Sequence, residues 1–175
     1  MKYELSLIIR ILTALIIRPD IFYFGLVFLT MFIPFIVLII LNYDVRFLYE
    51  SKTLLVNGID LEFVRACIAT SAYYLLALLI LTTKGIGIKN SVKMFLIGSL
   101  LIFVMNVLRV TLLILVVINL GLDWFNLIHM TFWYILSSVY VFLVWLFLIK
   151  LYKIKNIPIY SDAKYLIASL RVKKR

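Results

Sequence analysis

Apolar residues fill four stretches of this chain, 21–41, 63–83, 94–122 and 127–149, and the charged residues crowd between and beyond them. Three of these stretches are about 20 residues or longer and nearly free of charge, the length needed to cross roughly 30 Å of hydrocarbon. The fourth, 63–83, is apolar apart from Arg65. The pattern predicts an all-α integral membrane protein with about four transmembrane helices. The alternative is three such helices plus a half-buried one. Pro19 can open the first helix and Pro34 should kink it, because proline withholds one backbone donor. In the first 20 residues Leu5, Ile8, Ile9, Leu12 and Ile16 recur at helical spacing, but Arg10 and Arg18 break the apolar run. An interfacial helix fits that segment better than a cleavable signal. The expected organisation is an N-terminal cytoplasmic or interfacial segment (1–20), a four-helix transmembrane domain (21–150) that would hold any active site, and a basic cytoplasmic tail (151–175).

Composition sharpens this picture. The chain has 175 residues, of which 66% are hydrophobic, and its mean hydropathy is +1.16. A soluble domain of this size must turn more of its chain toward water. The net charge of +10 raises the possibility of nucleic-acid binding, but the distribution of charge points to topology. Lys2, Arg10 and Arg18 precede the first stretch, Lys84, Lys89 and Lys93 fill one short loop, and eight basic residues follow position 149. The loop after the first stretch mixes Arg46 and Lys52 with Asp44, Glu50, Asp60 and Glu62, and the loop after the third has only Asp123. Cytoplasmic loops collect Lys and Arg, so both termini and the loop at 84–93 are expected inside. The basic tail then meets anionic lipid headgroups rather than nucleic acid.

Against this background four polar residues are costly: Cys67, Asn106, Arg109 and His129. The chain has one cysteine and one histidine, and Arg109 is the sole charged residue of 94–122. An ionisable group at membrane depth is expensive unless paired, and it marks function by default. A lone cysteine excludes an internal disulfide and is commonly a small apolar filler. Its company favours more. Counted from Lys84, Lys93 and Lys150 at 1.5 Å per residue, Cys67, Arg109 and His129 stand roughly 26, 24 and 32 Å above the inner interface. Three helices thus bring a thiol, a guanidinium and an imidazole to similar heights near the outer leaflet. Cys67, Thr70, Ser71 and Tyr74 share one helical stripe, which turns toward neighbouring helices. Asn106 pairs with Arg109, and Asn126 with His129, at i and i+3. Each asparagine reads equally as interhelical glue. One Cys and one His are too few ligands for structural zinc, no phosphate-cradling loop is present, and no cofactor is expected.

The ordered set formed by 65–71 (RACIATS), 106–109 (NVLR) and 126–129 (NLIH) resembles the exosortase/archaeosortase family. These are multi-pass prokaryotic membrane proteins with a Cys at the outer end of one helix, Asn-x-x-Arg in the next and a His or a second Arg opening the one after. The resemblance covers about half of the chain. Ala69 stands where many members have Gly, the chain has about four spans where many have eight or so, and Glu62 is the nearest acidic residue. The resemblance implies a cysteine transpeptidase or protease without cofactor. It would cleave the C-terminal sorting signal of secreted proteins, made of a short motif, a transmembrane helix and a basic cluster, and transfer them to a lipid or other surface anchor. By position Cys67 would be the nucleophile, Arg109 the electrostatic stabiliser and His129 the acid/base. The cell membrane, with the active site near the extracytoplasmic face, is the implied location. Two other readings are a non-enzymatic membrane assembly subunit and a purely hydrolytic outer-face cysteine protease.

Overall fold

The computed structural model describes residues 20–83, 86–131 and 137–154. The interfacial helix expected before Asp20, the tail beyond residue 154 and Lys84 lie outside them. The elements in chain order are α1 (Asp20–Ile40), β1 (Val45–Leu48), β2 (Thr53–Val56), β3 (Ile59–Glu62), α2 (Arg65–Ile68), α3 (Thr70–Thr82), α4 (Ile88–Leu120), α5 (Leu122–Thr131) and α6 (Ser137–Leu151). The described chain is mostly helical. Two stretches, Phe22–Ile40 and Ile88–Leu120, are long and apolar enough to cross a membrane.

The segment between the first two apolar stretches is not a loop, and the all-α expectation is corrected there. It folds as a three-stranded antiparallel meander in the order β1-β2-β3. Asn57 and Gly58 both have positive φ (51° and 83°), as a two-residue hairpin turn with the right twist requires. Strand alternation then sorts the side chains. Leu54 and Val56 are buried, with Val45, Phe47 and Leu61 packed beside them, while Arg46, Asp60 and Glu62 face outward. Phe47 meets Phe28, Phe32 and Phe35 of α1, so the sheet lies along that helix.

The second apolar stretch is also not one helix. Ala69 has φ 55° and ψ 37° and separates the single turn of α2 from α3. At 13 and 15 residues, α3 and α6 measure about 20 and 22 Å. By contrast α4 has 33 residues, about 50 Å, and it serves two cores. Its first half packs with α3 and α6 around Tyr73, Leu76, Ile102, Trp145 and Leu148. Its second half packs with α1, the sheet and α2 around Met31, Leu54, Ile68, Val110 and Ile114. Gly98 makes the first of these junctions tight. A Cβ there would lie 2.7 Å from Leu76 Cδ2 and 2.9 Å from Leu148 Cδ1, the close approach that small residues permit between apolar helices.

The elements are staggered. Arg65 pairs with Asp20 at 3.0 Å, and Tyr23 Oη donates to the Phe63 carbonyl at 3.4 Å. The start of α1 therefore lies beside the start of α2. Charge counting along the sequence assigns these two ends to opposite membrane faces. The reason for the difference is the meander, which doubles back along α1 and returns the chain to the level where α1 began.

Candidate active site

Cys67 sits in the single turn of α2, between the end of β3 and the left-handed Ala69. A left-handed residue cannot continue the helical ladder, so carbonyls of the turn before it need other donors. Two residues of α4 supply them. Asn106 Nδ2 donates to the Cys67 carbonyl at 2.8 Å, and Arg109 Nη2 donates to the Ala66 carbonyl at 2.9 Å. Both side chains are buried, Asn106 4% exposed and Arg109 7%. The Asn-x-x-Arg spacing places both on one face of α4 a turn apart, matched to two consecutive carbonyls. The backbone on either side of the thiol is thereby fixed to the longest helix.

His129 arrives from α5. Gly121, with φ 87°, ends α4, and α5 turns back along it. The imidazole is half-buried and stacks on Phe125, with centroids 5.3 Å apart and planes at 15°. Cys67, Arg109 and His129 all line one cavity of about 190 Å³. Its other walls are Asp60, Leu61, Glu62 and Phe63 of the β3 end, Val110, Leu113, Ile114 and Val117 of α4, and Phe125. Arg109 also borders a smaller cavity of about 60 Å³ on the α6 side, with Ala69, Asn106 and Tyr140 among its walls. Arg109 Nε and Asn106 Oδ1 are enclosed without a hydrogen-bond partner among the described residues.

The three sequence-predicted residues thus meet in one place, and Asn106 joins them through the backbone of Cys67. Asn126 does not. It is exposed on α5 and outside both cavities. The stripe expected through Cys67, Thr70, Ser71 and Tyr74 is interrupted by Ala69, with Thr70 buried and Ser71 exposed. The β3 wall was not foreseen, although the Asn-Gly turn before it is a strong hairpin signal. No group of three or more His, Cys, Asp or Glu side chains capable of holding a metal ion occurs among the described residues.

No protein-family model, no curated protein and no solved structure matches this chain.

Proposed function

We propose that this chain is a multi-pass membrane cysteine acyltransferase of the exosortase/archaeosortase type, acting on the C-terminal sorting signals of secreted proteins. One observation carries the reading. The chain's one thiol, its one imidazole and a buried guanidinium, brought by three separate helices, line the same cavity. Residence in lipid is supported by the outer surface of α4. Leu96, Leu100, Val104, Leu108 and Leu112 recur every fourth residue, and all are exposed. Such a ridge, about 24 Å long, suits hydrocarbon and not water. Lys89 and Lys93 support an inner position for the start of α4, and the α4 wall of the cavity, Arg109 to Val117, begins about 24 Å farther along, in the direction of the extracytoplasmic side. The four-span arrangement with both termini inside belongs to the same proposal.

In this reading the Cys67 thiolate, held beside the Arg109 charge, attacks the scissile carbonyl. A tetrahedral oxyanion forms, and Arg109 Nε is a buried donor with no partner among the described residues to release, suited to stabilise the developing charge. His129 donates a proton to the departing amine as the C–N bond breaks, leaving a thioester on Cys67. The imidazole, now neutral, takes the proton of an incoming amine or hydroxyl. That acceptor forms the new bond to the acyl carbon, and the thiolate leaves. If the bound substrate keeps water out of the cavity, transfer prevails over hydrolysis. The hydrogen bonds from Arg109 and Asn106 add a positioning role, because they set the backbone that carries the thiol.

Those bonds also favour a second reading, in which Asn106 and Arg109 are only interhelical glue and Cys67 is inert. Replacing Cys67 with Ala separates the two. Secreted proteins bearing a C-terminal helix and basic cluster are followed by gel mobility, and their mature C-termini by mass spectrometry. Loss of processing with normal levels of the variant is expected. Normal processing by a stably expressed Cys67→Ala chain would sink the enzyme reading. An added mass at the new C-terminus marks transfer, and a free carboxylate marks hydrolysis.

A further inference from the structure

The cavity that holds the thiol is bounded on one side by the free edge of a sheet. In an antiparallel pair, directly opposed residues alternate between hydrogen-bonded and non-bonded. The Phe63 N–H donates to the Lys52 carbonyl at 2.8 Å, so the 52/63 pair is bonded. With the observed register of Leu54 to Leu61 and Val56 to Ile59, those pairs are bonded too. The N–H and C=O groups of Asp60 and Glu62 therefore point away from β2, toward the side where no further strand lies. Among the described residues nothing donates to or accepts from these edge groups. Both residues line the Cys67 cavity.

We propose that β3 is a substrate rail. An extended peptide segment, uncharged or basic where it faces Asp60 and Glu62, adds to this edge as a fourth strand and is thereby led to Cys67. The inference rests on the cysteine-nucleophile reading and specifies how its substrate is held. Main-chain bonds to an exposed edge supply affinity, and side-chain contacts supply selectivity. Charge decides the occupant. Two acidic side chains on a four-residue strand discourage edge-to-edge pairing of two copies, which would set carboxylates against carboxylates. The same carboxylates accept a neutral or cationic strand. Position agrees, because the strand ends at Glu62, five residues before the thiol.

The test exploits the geometry. Proline at position 60 or 62 removes an outward N–H and leaves every β2–β3 bond in place, as edge strands tolerate. The full chain in detergent is treated with acetyl-Ala-Lys-Leu-Ala chloromethyl ketone, whose chloride the Cys67 thiolate displaces to form a thioether. Iodoacetamide, too small to need a rail, serves as the reference. Asp60→Pro and Glu62→Pro should slow the peptide reagent at least tenfold while iodoacetamide labelling changes less than twofold. On the wild-type chain, N-methylation of alternate peptide amides should cause the same loss, and replacing the peptide Lys with Glu a smaller one. Unchanged peptide labelling in the proline variants and with the methylated peptides would overturn the rail and leave the nucleophile intact. A Cys67 that reacts with neither reagent overturns both. Concentration-dependent protection of the edge by a second copy of the chain also overturns the rail.

Discussion

Replacing Asn106 with Leu tests how the thiol is held. Leucine matches asparagine in branching and heavy-atom count but has no donor for the Cys67 carbonyl, which now accepts a hydrogen bond from Asn106 Nδ2 at 2.8 Å. Asn106 is 4% exposed, so bulk water does not reach the place of the lost partner. Orphaning a buried acceptor costs about 1–3 kcal/mol. Part of that is returned, since Asn106 Oδ1 is itself buried without a partner among the described residues and its removal relieves a standing desolvation penalty. The net is a loss of about 1–2 kcal/mol. In a chain of this size each kcal/mol moves the midpoint by about 2–4 °C. Thermal unfolding in detergent, followed by intrinsic tryptophan fluorescence, should show a decrease of about 2–8 °C. The turn around Cys67 should also loosen, and its alkylation rate by iodoacetamide should change at least threefold while an unrelated lysine reagent reports no change at Lys89. A variant that melts within 1 °C of the wild type and alkylates at the same rate would refute the claim that this hydrogen bond fixes the nucleophile.

Four further substitutions, at three positions, probe the frame around it. Ala69→Gly should be nearly neutral in thermal unfolding, because relief of a left-handed conformation costing about 1–2 kcal/mol offsets the loss of a buried methyl, whereas Ala69→Val should destabilise by more than about 2 kcal/mol. Gly98→Leu should reduce stable yield and the melting midpoint sharply, by about 3 kcal/mol or more, since even a Cβ would press on Leu76 and Leu148. Arg65→Gln should shift the midpoint by less than about 2 °C, because the ion pair with Asp20 involves an Arg side chain that is 72% exposed and such pairs contribute about 0–1 kcal/mol.

Much of this was legible in the sequence, and the reasons differ from residue to residue. Long uncharged runs identify α1 and α4, because apolar helices of that length have little freedom to be anything else. Arg109 stood out for the same reason, as a charge in such a run has to have partners. Its partners were not foreseeable. Arg109 donates to the main-chain carbonyl of Ala66, as Asn106 does to that of Cys67, and carbonyls leave no mark in a sequence until the backbone bends. The bend is at Ala69, where a small side chain tolerates positive φ but does not announce it as glycine would. Helical periodicity across 63–83 concealed the break, and that erased the expected stripe through Ser71 and Tyr74. The meander escaped because its strands are only four residues long and its apolar residues are few beside those of the helices. Its Asn57–Gly58 turn was the available signal.

The two cores that share α4 give the chain an internal seam. One block comprises α3, α6 and the first half of α4, and the other comprises α1, the sheet and the second half of α4. Asn106 and Arg109 lie where one block gives way to the other, and their side chains donate to the main-chain carbonyls of Cys67 and its neighbour Ala66. Regions with separate cores open as separate cooperative units, and amide exchange resolves them. The long helix, anchored in both, is then the last element to exchange, with α3 and the meander opening independently on either side. The thiol sits at the junction of two such units, so a small rotation of one block against the other would alter its surroundings while leaving each core intact.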